Sequence, residues 1–248
     1  MPNERLRAAL LQRGITTTAL ADRLSVDSKT VERWISGRIP YRRHRFAIAE
    51  QLGVDEVYLW PDALSRDQVA VASASELVAV YPHRSEVPRD VWGRLFGEAE
   101  TEIGVLVYSG LWLAEDAGLQ RIIAERARAG ARVRILLGDP ASEEVAERGD
   151  DEGIGEAMAA KVRNALAIYR PLRAVEGIEF RFHSTVLYNS IYRADDQILV
   201  NTHLYGLPAA HAPVWHFRKV AGGEVTAAYL ESFERVWDVA EPLPEGRP

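Results

Sequence analysis

The sequence predicts a two-domain α+β chain: an all-α N-terminal domain, then an α/β domain on a mixed, largely parallel sheet. Three observations predict it. The length of 248 residues admits one to two domains of common size. Apolar residues recur at helical spacing over the first sixty positions, and from residue 103 onward β-branched runs alternate with helical patterns. Apolar residues make up 47% of the chain and charged residues 27%, which excludes disordered, collagenous and coiled-coil classes.

The first apolar face carries Leu6 and Leu10, the second Leu20, Ala21 and Leu24, the third Val31 and Ile35, and the fourth Phe46, Ala49 and Leu52. Spacings of three and four residues make each a short amphipathic helix. Gly14 stands where a C-cap belongs, and Thr16 to Thr18 supply a capping hydroxyl for the second helix. Val26-Asp27-Ser28 turns the chain into the third helix, with Asp27 or Ser28 as its N-cap, and Gly37 and Pro40 end it. Two helices joined by so tight a turn have helix-turn-helix geometry. Domain boundaries follow at 1–62 for the helical domain, 63–75 for a small, polar linker, and 76–248 for the second domain.

Charge is unevenly spread. The whole chain carries −6, yet residues 1–64 hold ten basic residues against eight acidic ones. Between Ser28 and Arg45 six basic residues face the single acid Glu32. A basic stripe on an acidic background is the footprint of a module that meets phosphate, and a solvated helical face is the alternative reading of the same charges. The absence of cysteine excludes disulfides, thiolate metal sites and cysteine catalysis, and fits a cytoplasmic protein. The longest nearly apolar run, Ile103 to Ala114, is too short to span a bilayer, and the charged opening residues predict no secretion signal and no membrane partner.

In the second domain strands are predicted at Ile103–Tyr108, Arg132–Leu137, Ile178–Phe182, Leu187–Arg193, Gln197–Asn201 and Val214–Val220, with helices at Asp116–Ala129 and Ile154–Ala174. The Asp195-Asp196 turn joins the fourth and fifth strands. Strand ends and switch points of such sheets gather functional groups.

The run ALADRLSVDSKTVERWISGRIP resembles the helix-turn-helix of Xre-type, phage-repressor-like transcriptional regulators. Ala21 is the small residue of the first helix, Val26 the apolar turn residue, and Trp34 precedes Gly37, while Ile35 and Ser36 depart from the Glu-Arg pair common there. The resemblance covers residues 4 to about 60. It implies that Ser28, Lys29 and Arg33 face base edges in the major groove and that Thr17, Thr18, Arg38, Tyr41, Arg42 and Arg43 hold the backbone of double-stranded DNA. Trp34 reads as core.

The succession LQRIIAERARAGARVRILLGDP, IEFRF and YNSIYRADDQILVNTHLYG resembles the phospholipase D superfamily, whose signature is His-x-Lys-x4-Asp followed by a Gly-Ser-x-Asn-like turn. Here Tyr188 stands at the histidine position, Ser190 at the lysine position and Asp195 at the aspartate position, and Asn201-Thr202-His203 replaces the turn. Without the imidazole and the lysine the expectation is no catalytic residue and no enzyme activity; the alternative is a DNA-tethered phosphodiesterase or nuclease using Tyr188 or His183. No cofactor or metal is expected, since His183, His203 and His216 lack usual ligand spacing.

Polar groups remain at the strand ends. Asn189, Ser190, Arg193, Asn201, His203 and His216 form the expected ligand site, with an anionic effector against Arg193. Tyr81 to Ser85, Leu137 to Pro140 and Arg148 to Gly155 are polar loops beside it. One motif-bearing half implies a homodimer about a two-fold axis near the Tyr188 strand, and paired recognition helices imply an inverted-repeat operator. The expected function is therefore a ligand-responsive, sequence-specific transcriptional regulator.

Overall fold

Side chains placed just ahead of apolar runs start the N-terminal helices. Asn3, Thr16, Asp27 and Asp55 each accept a hydrogen bond from a backbone N–H two or three residues on, satisfying donors that a helix start leaves free. They open α1 (Glu4–Gln12), α2 (Thr17–Arg23), α3 (Ser28–Ile35) and α5 (Glu56–Leu59); α4 (Arg42–Leu52) begins after Tyr41 and ends at Gly53, whose left-handed φ of 60° closes the helix. The computed structural model describes residues 2–60, 63 and 66–244, and only the backbone of 66–68. These residues divide into two compact units, one running to residue 75 and joined by 220–224, the other comprising 76–219 and 225–244.

In the first unit Leu6, Leu20, Val31, Ile48, Leu52 and Leu59 are fully buried, and Trp34 and Trp60 close the core. Burial of each such side chain contributes about 1.5–3 kcal/mol. Phe46, expected on the apolar face, is instead 64% exposed. The buried stripe of α4 is Ile48, Ala49 and Leu52, extended by the half-buried Arg45, and Phe46 sits one residue round the helix from it. Arg45 reaches inward to pair with Glu56 at 2.7 Å and to donate to the Pro40 carbonyl at 3.0 Å. Where the sequence predicts a linker at 63–75, α6 (Arg66–Ser75) is a helix, in which Ala70, Ala72 and Ala74 have the highest helix propensity. Residues 62, 64 and 65 lie outside the described residues.

The second unit is built on β1 (Leu77–Tyr81), β2 (Glu102–Val107), β3 (Arg132–Gly138), β4 (Ile178–His183), β5 (Asn189–Ala194), β6 (Gln197–Thr202), β7 (Val214–Arg218) and β8 (Glu241–Pro242), in the order β1-β7-β6-β5-β2-β3-β4-β8. The sheet is mixed, but not largely parallel. Only β2 with β3 and β3 with β4 run parallel among the described pairings. The two-residue Asp195-Asp196 turn forces β5 and β6 antiparallel, and the link from β6 to β7 carries no helix that could cross the sheet. Around the sheet lie α7 (Arg89–Gly97), α8 (Leu111–Glu115), α9 (Ala117–Arg128), α10 (Glu143–Asp151), α11 (Ala157–Ile168), α12 (Arg170–Arg173) and α13 (Val225–Val239). The single helix predicted at Ile154–Ala174 is divided in two, because Pro171 lacks the amide that would continue α11.

Strand alternation gives the sheet two different faces. On one, Tyr192 packs against Trp92 with ring centroids 4.9 Å apart and takes a hydrogen bond from Trp112 Nε1 at 2.9 Å. On the other, Arg193 and Arg134 lie beneath Phe233 and share Glu102 and Glu234. Gly104 is required there: a Cβ would stand 2.6 Å from Arg193 Cγ and 2.8 Å from Phe233 Cζ. Glu76, fully buried, caps α13 by accepting from the Val225 and Thr226 amides at 2.8 and 3.0 Å.

Candidate nucleic-acid interface and candidate pocket

The first candidate interface is the surface of α3 and the segment that follows it. Val31 and Trp34 turn inward, so alternation round the helix leaves Lys29 and Arg33 outside. Ser28, at the first turn, is half-buried. The turn before α3 is fixed by Ser25 in the left-handed region at φ 52° and by Asp27, whose carboxylate accepts from the Lys29 amide at 2.8 Å. Arg38, Tyr41, Arg42 and Arg43 are exposed beyond the helix, Tyr41 to 76%. Arg43 donates to His44 Nε2 at 3.2 Å, whereas Lys29, Arg33, Arg38 and Arg42 have no ion-pair partner among the described residues. Thr18 is exposed and Thr17 half-buried at the start of α2, where Thr16 provides the cap by accepting from the Ala19 amide at 3.1 Å.

The residues expected to form one ligand site are not brought together. Ser190 lies opposite Asn201 across β5 and β6, and Leu199 lies opposite His216, so Ser190, Asn201 and His216 share a face. Asn189 and Arg193 alternate to the other face. Arg193 is no anion ligand: its guanidinium is held by Glu234 at 2.6 Å and Glu102 at 2.8 Å. Asn201 is fully buried and donates to the carbonyls of Ala212 and Pro213 at 3.3 and 3.2 Å, pinning the β6–β7 connection. His216 is hydrogen-bonded to Gln197 at 3.1 Å, and burial lowers its pKa.

Ser190 and His203 do meet. The β5–β6 register puts His203 just past the ladder, where its amide donates to the Tyr188 carbonyl at 3.0 Å. Its Nδ1 lies 3.1 Å from the Leu187 carbonyl and must donate there, which leaves Nε2 to accept from Ser190 Oγ at 3.0 Å. Burial, helped by the nearby Arg148 cation, pushes the His203 pKa down to about 4, so the imidazole is neutral. Tyr108 stacks on His203 at 5.6 Å and accepts from the Leu187 amide at 2.9 Å. Ser190 and His203 floor a pocket of about 120 Å³, walled by Arg84, Trp112, Arg148 and Lys161. Arg84 lies 4.7 Å from the Trp112 ring, and Arg148 pairs with Glu152 at 2.6 Å.

Arg84 and Arg148 lie in segments whose polar character is visible in the sequence, but nothing in the spacing points to Trp112 or Lys161. Convergence of four elements on one pocket is a property of the fold. His183 is committed elsewhere: Nε2 donates to the Val107 carbonyl at 3.1 Å, the Thr185 amide approaches Nδ1 at 3.4 Å, and burial lowers its pKa. Tyr188 is 80% exposed. Among the described residues no group of three His, Asp or Glu side chains is placed to hold a metal ion.

Asp195, which the sequence resemblance sets at the motif's aspartate position, is a structural clamp. Its carboxylate accepts from the amides of Glu100, Thr101 and Glu102 at 2.7, 3.0 and 2.8 Å and from the Thr101 hydroxyl at 2.5 Å. Burial opposes its ionisation, but these hydrogen bonds together outweigh it and hold the carboxyl below the usual range.

No family model and no curated protein matches the chain. Among the solved structures that are similar to it in part are TrmBL2, Nuc and NucT. TrmBL2, an archaeal chromatin protein described as showing a novel mode of DNA binding, is 15% identical with a TM-score of 0.43 over 82% of this chain; the chain spans 62% of its length, under two thirds. Nuc, a phospholipase D family member from Salmonella typhimurium, is 15% identical with a TM-score of 0.38, covering 63% of this chain and 91% of Nuc. NucT from Helicobacter pylori is 10% identical with a TM-score of 0.43, covering 66% of this chain and 98% of NucT.

Proposed function

We propose that the chain is a cytoplasmic, sequence-specific DNA-binding transcriptional regulator of Xre type, and that its second unit dimerises it and takes an anionic effector. The observation that carries the reading is the cationic surface of Lys29, Arg33, Arg38 and Arg42 on and after α3, without ion-pair partners among the described residues, beside a core that buries the helix's other side. Long basic side chains without acidic partners are free to replace the counterions of a DNA duplex. Lys29 and Arg33 on the helix would read base edges, and Arg38, Tyr41, Arg42 and Arg43, with Thr17 and Thr18, would hold phosphates.

The dimer reading is supported by an exposed apolar set on two adjoining loops: Val186 and Tyr188 before β5, Leu204 and Tyr205 after β6, exposed to 52%, 80%, 45% and 87%. A second copy related by a two-fold axis near Tyr188 would bury it, and paired α3 helices would then select an inverted repeat. The phosphodiesterase alternative finds less support, since Tyr188 points to solvent without a base and His183 has both ring nitrogens occupied. Selection of bound sequences from a random duplex library tests the proposal. Enrichment of a two-fold symmetric site supports it, and binding that is equal on all duplexes overturns it.

A further inference from the structure

The pocket over Ser190 and His203 combines features that no part of the DNA-binding reading uses. Its wall carries more positive than negative charge. Arg148 is matched by Glu152, but Arg84 and Lys161 have no ion-pair partner among the described residues. The pocket has a volume of about 120 Å³, enough to seat several water-sized groups. That admits the four oxygens of a tetrahedral oxyanion. Its floor is a hydroxyl and an imidazole that are hydrogen-bonded to each other, the imidazole also to the Leu187 carbonyl.

We propose that this pocket binds a tetrahedral oxyanion, either free phosphate or the phosphate group of a small ester, and that binding places one proton from solvent on His203. This deepens the effector reading above by naming the ligand's chemistry. The coupling follows from the hydrogen-bond inventory. In the free protein Ser190 Oγ donates its only proton to His203 Nε2. An oxyanion seated between Arg84 and Lys161 competes for that proton, and once Ser190 turns to it the bare lone pair of Nε2 would face anionic oxygen. Protonation converts the repulsion into an N–H donor, while Nδ1 stays on the Leu187 carbonyl.

The groups packed around the imidazole agree with this. Arg84 comes from the loop after β1, Tyr108 from just past β2, Arg148 from α10 with Glu152 at its end, Lys161 from α11 and Tyr192 from β5, with His183 of β4 behind Tyr108. Burial, and after it the Arg148 cation, hold His203 neutral while the pocket is empty, and the incoming anion offsets the cation. Because the free imidazole titrates at about 4, affinity should fall about tenfold per pH unit from there up to the bound-state value, and be flat outside that window.

Isothermal titration of the full chain with sulfate, whose charge is constant over the range, tests this from pH 5 to 7.5 in two buffers of different ionisation enthalpy. The expected results are saturable binding at pH 5, uptake of one proton per sulfate, and a Kd that rises about tenfold per unit. His203→Gln, which presents a permanent N–H, should bind with no pH dependence. Lys161→Met, on the pocket's outer wall, should weaken binding about tenfold and keep the slope. Absence of sulfate binding at pH 5, an unchanged slope in His203→Gln, or undiminished affinity in Lys161→Met overturns the proposal. Comparing inorganic phosphate with glycerol phosphate at pH 6 distinguishes the sources: whichever binds tighter is the ligand. No DNA is present, so a chain that binds sulfate but no duplex refutes the regulator and leaves this inference standing.

Discussion

Replacing Asp195 separates the clamp described here from the catalytic-motif position it occupies in the resemblance. The carboxylate holds three backbone amides and one hydroxyl at the start of β2, and the residue itself sits at φ 49° in the left-handed region. Water can reach this turn, so each lost bond costs toward the low end of the net range, about 0.5–1 kcal/mol. A left-handed alanine adds about 1 kcal/mol. Asp195→Ala should therefore destabilise the second unit by about 3 kcal/mol, or roughly 6–12 °C in Tm for a unit of this size. Asparagine tolerates the left-handed region and keeps one acceptor oxygen, so Asp195→Asn should cost about half as much. Thermal unfolding followed by near-ultraviolet circular dichroism reads the packed Trp92 and Trp112 of that unit directly. Equal effects of the two substitutions, or a loss under 0.5 kcal/mol for alanine, would refute the clamp.

Gly104→Ala should cost about 2 kcal/mol or more, because the new methyl group meets the Arg193 stem and the Phe233 ring on a central strand; an unchanged urea midpoint would show that α13 gives way. Acid should weaken the second unit in two stages. His203, with its folded pKa lowered to about 4, takes up its proton first in the unfolded chain. Without added oxyanions, stability should thus fall by about 3 kcal/mol between pH 6.5 and 4, and less in His203→Gln. Asp195 and Glu234 have depressed folded pKa values, the latter chiefly through the Arg134 hydrogen bonds. Their contribution is present above the ordinary carboxylate range and is lost as pH drops through the folded values; a stability curve that rises on acidification would contradict both assignments. Plasmid, single-stranded DNA and a chromogenic phosphodiester should all resist the chain with or without divalent metal; hydrolysis lost in Tyr188→Phe would reverse that expectation.

The sequence reveals α1 to α4 and the six inner strands because each carries its own period, whereas α5 and α6 carry no such pattern. Gly14 and the buried place of Trp34 are legible from residue type alone, while residue type narrows the caps only to Thr16–Thr18 and to Asp27 or Ser28, of which Thr16 and Asp27 serve. Phe46 misleads because an i, i+3 spacing fits two neighbouring stripes of one helix, and only the Glu56 partner of Arg45 decides between them. Arg193 misleads differently. Period-two alternation already separates it from Ser190, but its partner Glu234 is 41 residues away on a helix the sequence pattern leaves unmarked. The Ser190–His203 contact is legible only after the β5–β6 register is known, since it depends on pairing across the turn. Lys161 and Trp112 reach the pocket through tertiary packing alone.

The central claim is that α3 and its flanking segment read DNA sequence. It is tested most directly by measuring Arg33→Ala and Arg42→Ala against a selected operator and a scrambled duplex over a range of salt. The account predicts that Arg33→Ala costs about 1–3 kcal/mol on the operator and relaxes preference at one base pair. Arg42→Ala should weaken both duplexes alike and lower the salt slope by about one. If neither substitution changes operator affinity, base preference or salt slope, α3 is not the recognition surface and the regulator reading fails.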